Sequence, residues 1–114
     1  MKDGEVNFGS RVFKVEIVDK LLAHGEGKLE KVQGEISHAQ CTIKIEKNID
    51  EQSMVLTLLH EIVHYVIGRA NQDDPEVLNP KLEEAFVENM SEGLMLVLRL
   101  NPWIAEAIKE LDND

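Results

Sequence analysis

Hydrophobic residues recur at helical spacing between residues 50 and 68. Asp50 is a suitable N-cap for a helix here, and Gly68 is a plausible end, although Arg69 and Ala70 could extend it. Apolar side chains occupy positions i, i+1, i+4 and i+5, which is the period of a helix with a wide apolar stripe. They are Met54, Val55, Leu58, Leu59, Ile62, Val63, Val66 and Ile67. The pattern predicts a largely buried helix.

The polar residues of this helix fall in one narrow sector. When each residue is placed about 100° further around the helix axis, that sector holds Thr57, His60, Glu61, His64 and Gly68. Polar groups in a core are costly unless they have partners. Two explanations follow: the histidines are satisfied by hydrogen bonds within the core, or they bind a metal ion.

Residues 60–64 form the pattern H-E-x-x-H. Side chains at i and i+4 lie on the same face of a helix, one turn apart, so His60 and His64 can both reach one Zn²⁺. Glu61 lies beside such an ion without having to bind it, and there it can take a proton from water. The pattern therefore predicts a catalytic zinc site with His60 and His64 as ligands and Glu61 as the general base.

A second helix is predicted to begin at Asn79-Pro80, an N-cap followed by proline at the first helical position. One of its faces is apolar and comprises Leu82, Phe86, Met90, Gly93, Val97 and Leu100. A second strip, at i, i+4, i+7 and i+11, comprises Glu84, Glu88, Ser91 and Met95. A loop around Pro75 is long enough to bring this helix back across the first.

A catalytic zinc ion needs a third protein ligand and an open position for water. We assign Glu84 as this ligand. Glu83 and Glu88 are the alternatives, and a solvated helix face is the ordinary place for any such glutamate. Glu88, one turn beyond Glu84, is expected to accept a hydrogen bond from a ligating imidazole and so fix its tautomer.

The rest of the chain predicts an α+β fold. Segments 12–18, 32–37 and 41–47 have the composition and partial alternation of strands, and the last two are close enough to form a hairpin. Residues 1–10 are expected to be loosely docked. Residues 20–31, which include His24, are expected to form a loop with a short turn of helix at its start.

A short third helix is predicted from Pro102, and its apolar side comprises Trp103, Ile104, Ala107, Ile108 and Leu111. The acidic tail 112–114 is expected to be mobile. About three strands packed on two or three helices make one domain of 114 residues.

Composition narrows the possible partners. The 22 acidic and 12 basic residues give a formal net charge of −10, which disfavours nucleic-acid binding because phosphates attract the opposite sign. The acidity is explained by solubility or by a basic partner or substrate. Cys41 is the single cysteine and is expected to be a core thiol within a strand. With no apolar run of transmembrane length, a cytoplasmic protein with no membrane contact is expected.

The two motifs together resemble a known group. His60-Glu61-Ile62-Val63-His64 followed by Glu84-Ala85-Phe86-Val87-Glu88 resembles the gluzincin pattern of zinc metallopeptidases. With the strands before it, the stretch 34–98 is similar to ImmA/IrrE-like metallo-endopeptidases and to short phage-encoded relatives of them. The resemblance implies a small zincin-like domain that hydrolyses peptide bonds with Zn²⁺.

Further expectations concern the substrate. A peptide or protein substrate is expected to lie along the edge of the sheet at segment 32–37. Tyr65 and His38 are the two candidates for a donor to the oxyanion, although packing is the expected role of Tyr65 and solvation that of His38. The competing hypotheses are a catalytically silent zinc-binding module of the same fold, and an acidic interaction protein with an incidental histidine pair.

Overall fold

The computed structural model of the protein describes residues 1–25, 28–73 and 79–111. Within these ranges the chain forms six strands and three helices. The strands are β1 (Gly4–Asn7), β2 (Val12–Val18), β3 (Leu22–Gly25), β4 (Lys28–Lys31), β5 (Gly34–Ser37) and β6 (Thr42–Glu46). The helices are α1 (Glu51–Asp73), α2 (Pro80–Leu100) and α3 (Pro102–Lys109). The predicted α+β class is confirmed.

The main sheet has four strands in the order β1-β2-β6-β5. Strands β1 and β2 are antiparallel, β2 and β6 are parallel, and β5 and β6 are antiparallel. The predicted strand at 12–18 and the predicted hairpin of 32–37 with 41–47 are confirmed, with shorter strands in the hairpin. Segment 32–37 was expected at a sheet edge, and β5 is an edge strand of this sheet.

Two sequence-based expectations are wrong, because segments 1–10 and 20–31 both contain strands that form by backbone pairing. Residues 1–10 contain β1, which pairs with β2, and the amino group of Met1 forms an ion pair with Glu51. Residues 20–31 contain the β3–β4 hairpin, so His24 lies in a strand. Leu22 and Leu29 are exposed there, which explains why hydrophobic patterning gave no strand signal. The tail 112–114 and the loop around Pro75 lie outside the described residues.

The core lies between the sheet and α1. It contains alternate residues of β2 and β6, as the period of a strand with one buried face requires. Its buried members are Phe13, Val15, Ile43, Ile45, Met54 and Tyr65. Helix α1 contacts β5 and β6 directly, so the polar sector of α1 is held beside the edge strand of the sheet.

Helix α1 begins where predicted and ends later. The Asp50 side chain accepts hydrogen bonds from the backbone N–H of Ser53, at 3.0 Å, and from the Ser53 hydroxyl, at 2.6 Å. The expected end at Gly68 is wrong, because the helix continues to Asp73. A glycine inside a helix costs about 1 kcal/mol relative to alanine and does not by itself end the helix.

Helix α2 also begins as predicted, since the Asn79 side chain accepts a hydrogen bond from the Leu82 N–H at 2.9 Å. It packs against α1 with the strip that contains Glu84 and Ser91, and its buried residues are Val87 and Ser91. An apolar helix face ordinarily covers a core. Here the apolar face is largely exposed, and its large members are Leu82, Phe86, Met90, Val97 and Leu100.

Helix α3 contacts α2, as the predicted break at Asn101-Pro102 allows. Its apolar side is also turned outward, with Trp103, Ile108 and Leu111 exposed. None of the helices within the described ranges is long and apolar enough to span a membrane.

Two valines of α2 test this orientation. Val87 is fully buried and Val97 is 47% exposed. Val87→Ala removes buried methyl groups and leaves a cavity, so it should lower the free energy of unfolding by about 2 kcal/mol. Val97→Ala is the matched control and should change it by less than about 0.5 kcal/mol. Chemical denaturation of both variants measures the difference, and a larger loss at Val97 would contradict the orientation of α2.

Candidate metal centre

His60 and His64 lie on successive turns of α1, with ring centroids 4.8 Å apart. Both side chains are half-buried, with 25% and 20% of their surface exposed. The predicted helix therefore places both imidazoles on one face, as their spacing requires. Because each ring keeps part of its surface open, a ligand can approach them from the solvent side.

The Glu84 carboxylate lies across both imidazoles. Its Oε1 is 3.0 Å from Nε2 of His60, and its Oε2 is 3.0 Å from Nε2 of His64. One donor atom from each of the three residues lies within 4.8 Å of the others, so the group could hold a metal ion. Of the three glutamates considered from the sequence, Glu84 is the one that reaches both rings.

The donor set fits the ion expected from the sequence. Two imidazole nitrogens and one carboxylate oxygen are a ligand set of catalytic zinc sites, which keep a fourth position open. All three side chains retain exposed surface, so the fourth position can be reached. These three residues alone supply the three protein ligands of such a site.

Glu83 contacts the imidazole of His64 on the side away from Glu84. Its Oε2 lies 3.4 Å from Nδ1 of His64, on the ring nitrogen opposite to the one that faces Glu84. A carboxylate at Nδ1 favours the tautomer that leaves Nε2 for a metal ion. Glu83, which the sequence suggested only as an alternative ligand, thus makes a contact of the kind expected of Glu88. Glu88 instead lines a cleft beside His60.

Glu61 is buried, with 7% of its surface exposed. The pKa of its carboxyl is raised from an ordinary 4.5 to about 7: burial is the largest cause, His64 opposes it, and the negative charges of Glu84 and Glu35 add to it. A carboxyl whose pKa lies near neutral pH both accepts and releases a proton readily at that pH. Glu61, the residue expected to act as the general base, therefore has a pKa suited to that role.

Gly34 allows β5 to approach α1 at this point. A Cβ atom at Gly34 would lie 2.4 Å from Cγ2 of Thr57 and 3.4 Å from Cγ of Glu61. Real Cβ atoms do not make contacts as short as the first, so a side chain here would push the strand and the helix apart. A glycine that opens a strand can signal such an approach, but its neighbour cannot be read from the sequence.

Tyr65 lies in the core, and the half-buried ring of His38 packs against it. Their rings stack at a centroid distance of 5.4 Å, and Tyr65 also stacks on Phe8 at 3.9 Å and meets Phe13 edge-on at 5.3 Å. These contacts give both residues a packing role, and a role at the oxyanion stays a prediction. Solvation was the expected role of His38, but its ring belongs to this cluster.

Cys41 lies outside the metal centre. It occupies the turn before β6 with a φ of 53°, so the expected place within a strand is wrong by one residue. Its half-buried thiol packs against the core, as expected, and is 2.8 Å from Nη2 of Arg11.

Comparison with known proteins identifies no family for this chain. No family model, curated protein or solved structure matches the chain.

The approach of β5 to α1 predicts a rescue experiment. Gly34→Ala should lower the free energy of unfolding by about 1–3 kcal/mol, because the new methyl group meets Thr57. Adding Thr57→Ser removes Cγ2 and keeps the hydroxyl, and it should restore much of the loss. Thermal unfolding of the single and double variants measures this coupling, and simple additivity of the two changes would contradict the contact.

The raised pKa of Glu61 predicts a pH-dependent stability difference. The folded state holds the proton up to about pH 7, whereas the unfolded state releases it near 4.5. Stability therefore falls as pH rises through this interval, and the loss persists above it. Glu61→Gln, studied in chelator, should match the wild type near pH 4 and be more stable by about 2–3 kcal/mol at pH 8. An equal difference at both pH values would contradict the shift.

Proposed function

We propose that the protein is a zinc-dependent peptidase of the gluzincin type. The observation that supports the proposal is the Glu84 carboxylate, whose two oxygens lie 3.0 Å from two different imidazoles of H-E-x-x-H. Buried Glu61 lies next in sequence to His60, and its pKa is raised to about 7. A metal centre beside a carboxyl of this kind is suited to the hydrolysis of an amide.

Each residue has a part in this proposal. His60, His64 and Glu84 would hold Zn²⁺, and Glu83 would orient His64. When bound, the ion supplies Lewis acidity, which polarises a carbonyl and makes water a better nucleophile at neutral pH. Glu61 accepts a proton from the attacking water and passes it to the leaving nitrogen.

The edge strand β5 offers a place for an extended substrate. It begins at Gly34, where a Cβ atom would lie 3.4 Å from Cγ of Glu61, and it pairs with β6 on its inner side. A peptide added as a strand along the outer side of β5 would pass beside the metal centre. We propose a peptide or protein as the substrate and the cytoplasm as the compartment.

The alternative function is a catalytically silent zinc-binding module of the same fold. The exposed apolar faces of α2 and α3 favour it, because such surfaces commonly bind other proteins. Glu61 favours the enzyme, because a buried carboxyl with a raised pKa destabilises the fold and a structural metal site does not need one.

An activity assay separates the two functions. The zinc-loaded protein should cleave members of a mixed peptide library, and chelation should abolish cleavage until zinc is added back. Glu61→Gln should keep its zinc and lose activity by at least about 100-fold, because the proton acceptor is gone. Mass spectrometry measures both the products and the bound zinc.

Glu106→Gln is the control for this assay, since it removes an exposed carboxylate from α3. It should leave cleavage unchanged. Full activity of the Glu61→Gln variant, or of the chelated wild type, would contradict the proposed mechanism.

A further inference from the structure

A cleft of about 430 Å³ adjoins the metal centre, between α1, α2 and the start of β5. This volume lies in the range of small-molecule and side-chain pockets. The polar side chains that line the cleft are Gln33, Thr57, His60, Glu61, Glu88 and Glu92. Because His60 and Glu61 form part of its wall, a group bound in the cleft would lie beside the bond to be cleaved.

Two carboxylates of α2, those of Glu88 and Glu92, face the cleft. They continue a series with Glu84 at i, i+4 and i+8, so like charges repel along one side of the helix. Within the described part of the chain, neither Glu88 nor Glu92 forms an ion pair, and no lysine or arginine lines the cleft. The rim of the cleft is therefore strongly acidic.

The wall of the cleft contains a buried acceptor as well. Glu61 is 7% exposed, and its carboxylate makes no hydrogen bond with the residues that the structure describes. Its oxygens remain open to the cleft, so a bound group that carries N–H donors can hydrogen-bond to Glu61. This observation is independent of the charges at the rim.

We propose that this cleft binds the lysine or arginine side chain of a peptide substrate, next to the scissile bond. The proposal rests on the proposed peptidase function and adds the class of substrate to it. Leu56 provides apolar contact for the stem of such a side chain. Glu88 and Glu92 accept hydrogen bonds from its charged end, and lysine and arginine both carry several donors there.

Matched peptides test the preference. Two pairs are compared, one with arginine or citrulline and one with lysine or norleucine at the same position, and that position is scanned along the peptide. At the preferred position the zinc-loaded protein should cleave the cationic member with a kcat/KM about tenfold higher, since two charge-assisted contacts are lost with the neutral one. Equal cleavage within both pairs at every position would overturn the proposal.

Variants of the rim show whether the preference comes from this cleft. Glu88→Gln with Glu92→Gln should reduce the tenfold preference to about twofold, because the charged end of the side chain loses both anionic acceptors. Glu106→Gln on α3 is the matched control for lost charge and should keep the preference. A preference that survives the double change would overturn the assignment to Glu88 and Glu92.

A binding arm separates this proposal from the peptidase function. Argininamide and citrullinamide are titrated against the zinc-loaded protein and against the double variant, and binding is followed by nuclear magnetic resonance. Tighter binding of argininamide that is lost in the double variant supports the cleft even where no peptide is cleaved. Equal binding of the two amides overturns it, and cleavage of peptides without a cationic preference leaves the peptidase function standing.

Discussion

Helix α2 packs across α1 through Val87 and Ser91, and this contact decides where the Glu84 carboxylate lies. Val87 is fully buried, and the Ser91 hydroxyl donates a hydrogen bond to the Val87 carbonyl at 2.7 Å, so the contact leaves this hydroxyl satisfied. Val87 lies three residues beyond Glu84, nearly one helical turn, so the contact that buries it also holds the carboxylate over the imidazoles. One helix supplies two donor atoms, and the packing of a second helix supplies the third.

A second close contact places Glu61, the proposed general base. Strand β5 reaches α1 because position 34 has no side chain, and Thr57 and Glu61 lie directly beneath it. The burial that results raises the pKa of Glu61 to about 7. The same burial lowers the stability of the folded chain at neutral pH, since the ionised carboxylate prefers water. In this account the protein keeps a destabilising group where it is chemically useful.

The sequence predicted the centre of the site better than its surroundings. Spacing within a single helix is fixed by backbone geometry, so the common face of His60 and His64 could be derived from the chain alone. The cap at Asn79 and the strand at 12–18 are local features of the same kind. Glu84 required an assumption about how two helices cross, and the structure brings it to both rings.

Other features depend on partners that are distant in sequence. Strand β1 and the β3–β4 hairpin form through backbone pairing, and the hairpin leaves Leu22 and Leu29 exposed, so hydrophobic patterning did not reveal these strands. The exposed apolar face of α2 runs against the usual pattern of amphipathic helices. Glu83 and Gly34 act through contacts with α1 that only the folded chain defines.

X-ray absorption at the zinc edge, combined with zinc content per chain, shows whether His60, His64 and Glu84 bind a zinc ion. We expect one zinc ion per chain with two imidazoles and a carboxylate oxygen bound to it. We also expect that Glu84→Ala loses the carboxylate and binds zinc far more weakly, whereas Glu88→Ala keeps both. A protein that binds no zinc, or a zinc shell that is unchanged in Glu84→Ala, would contradict the proposed zinc site.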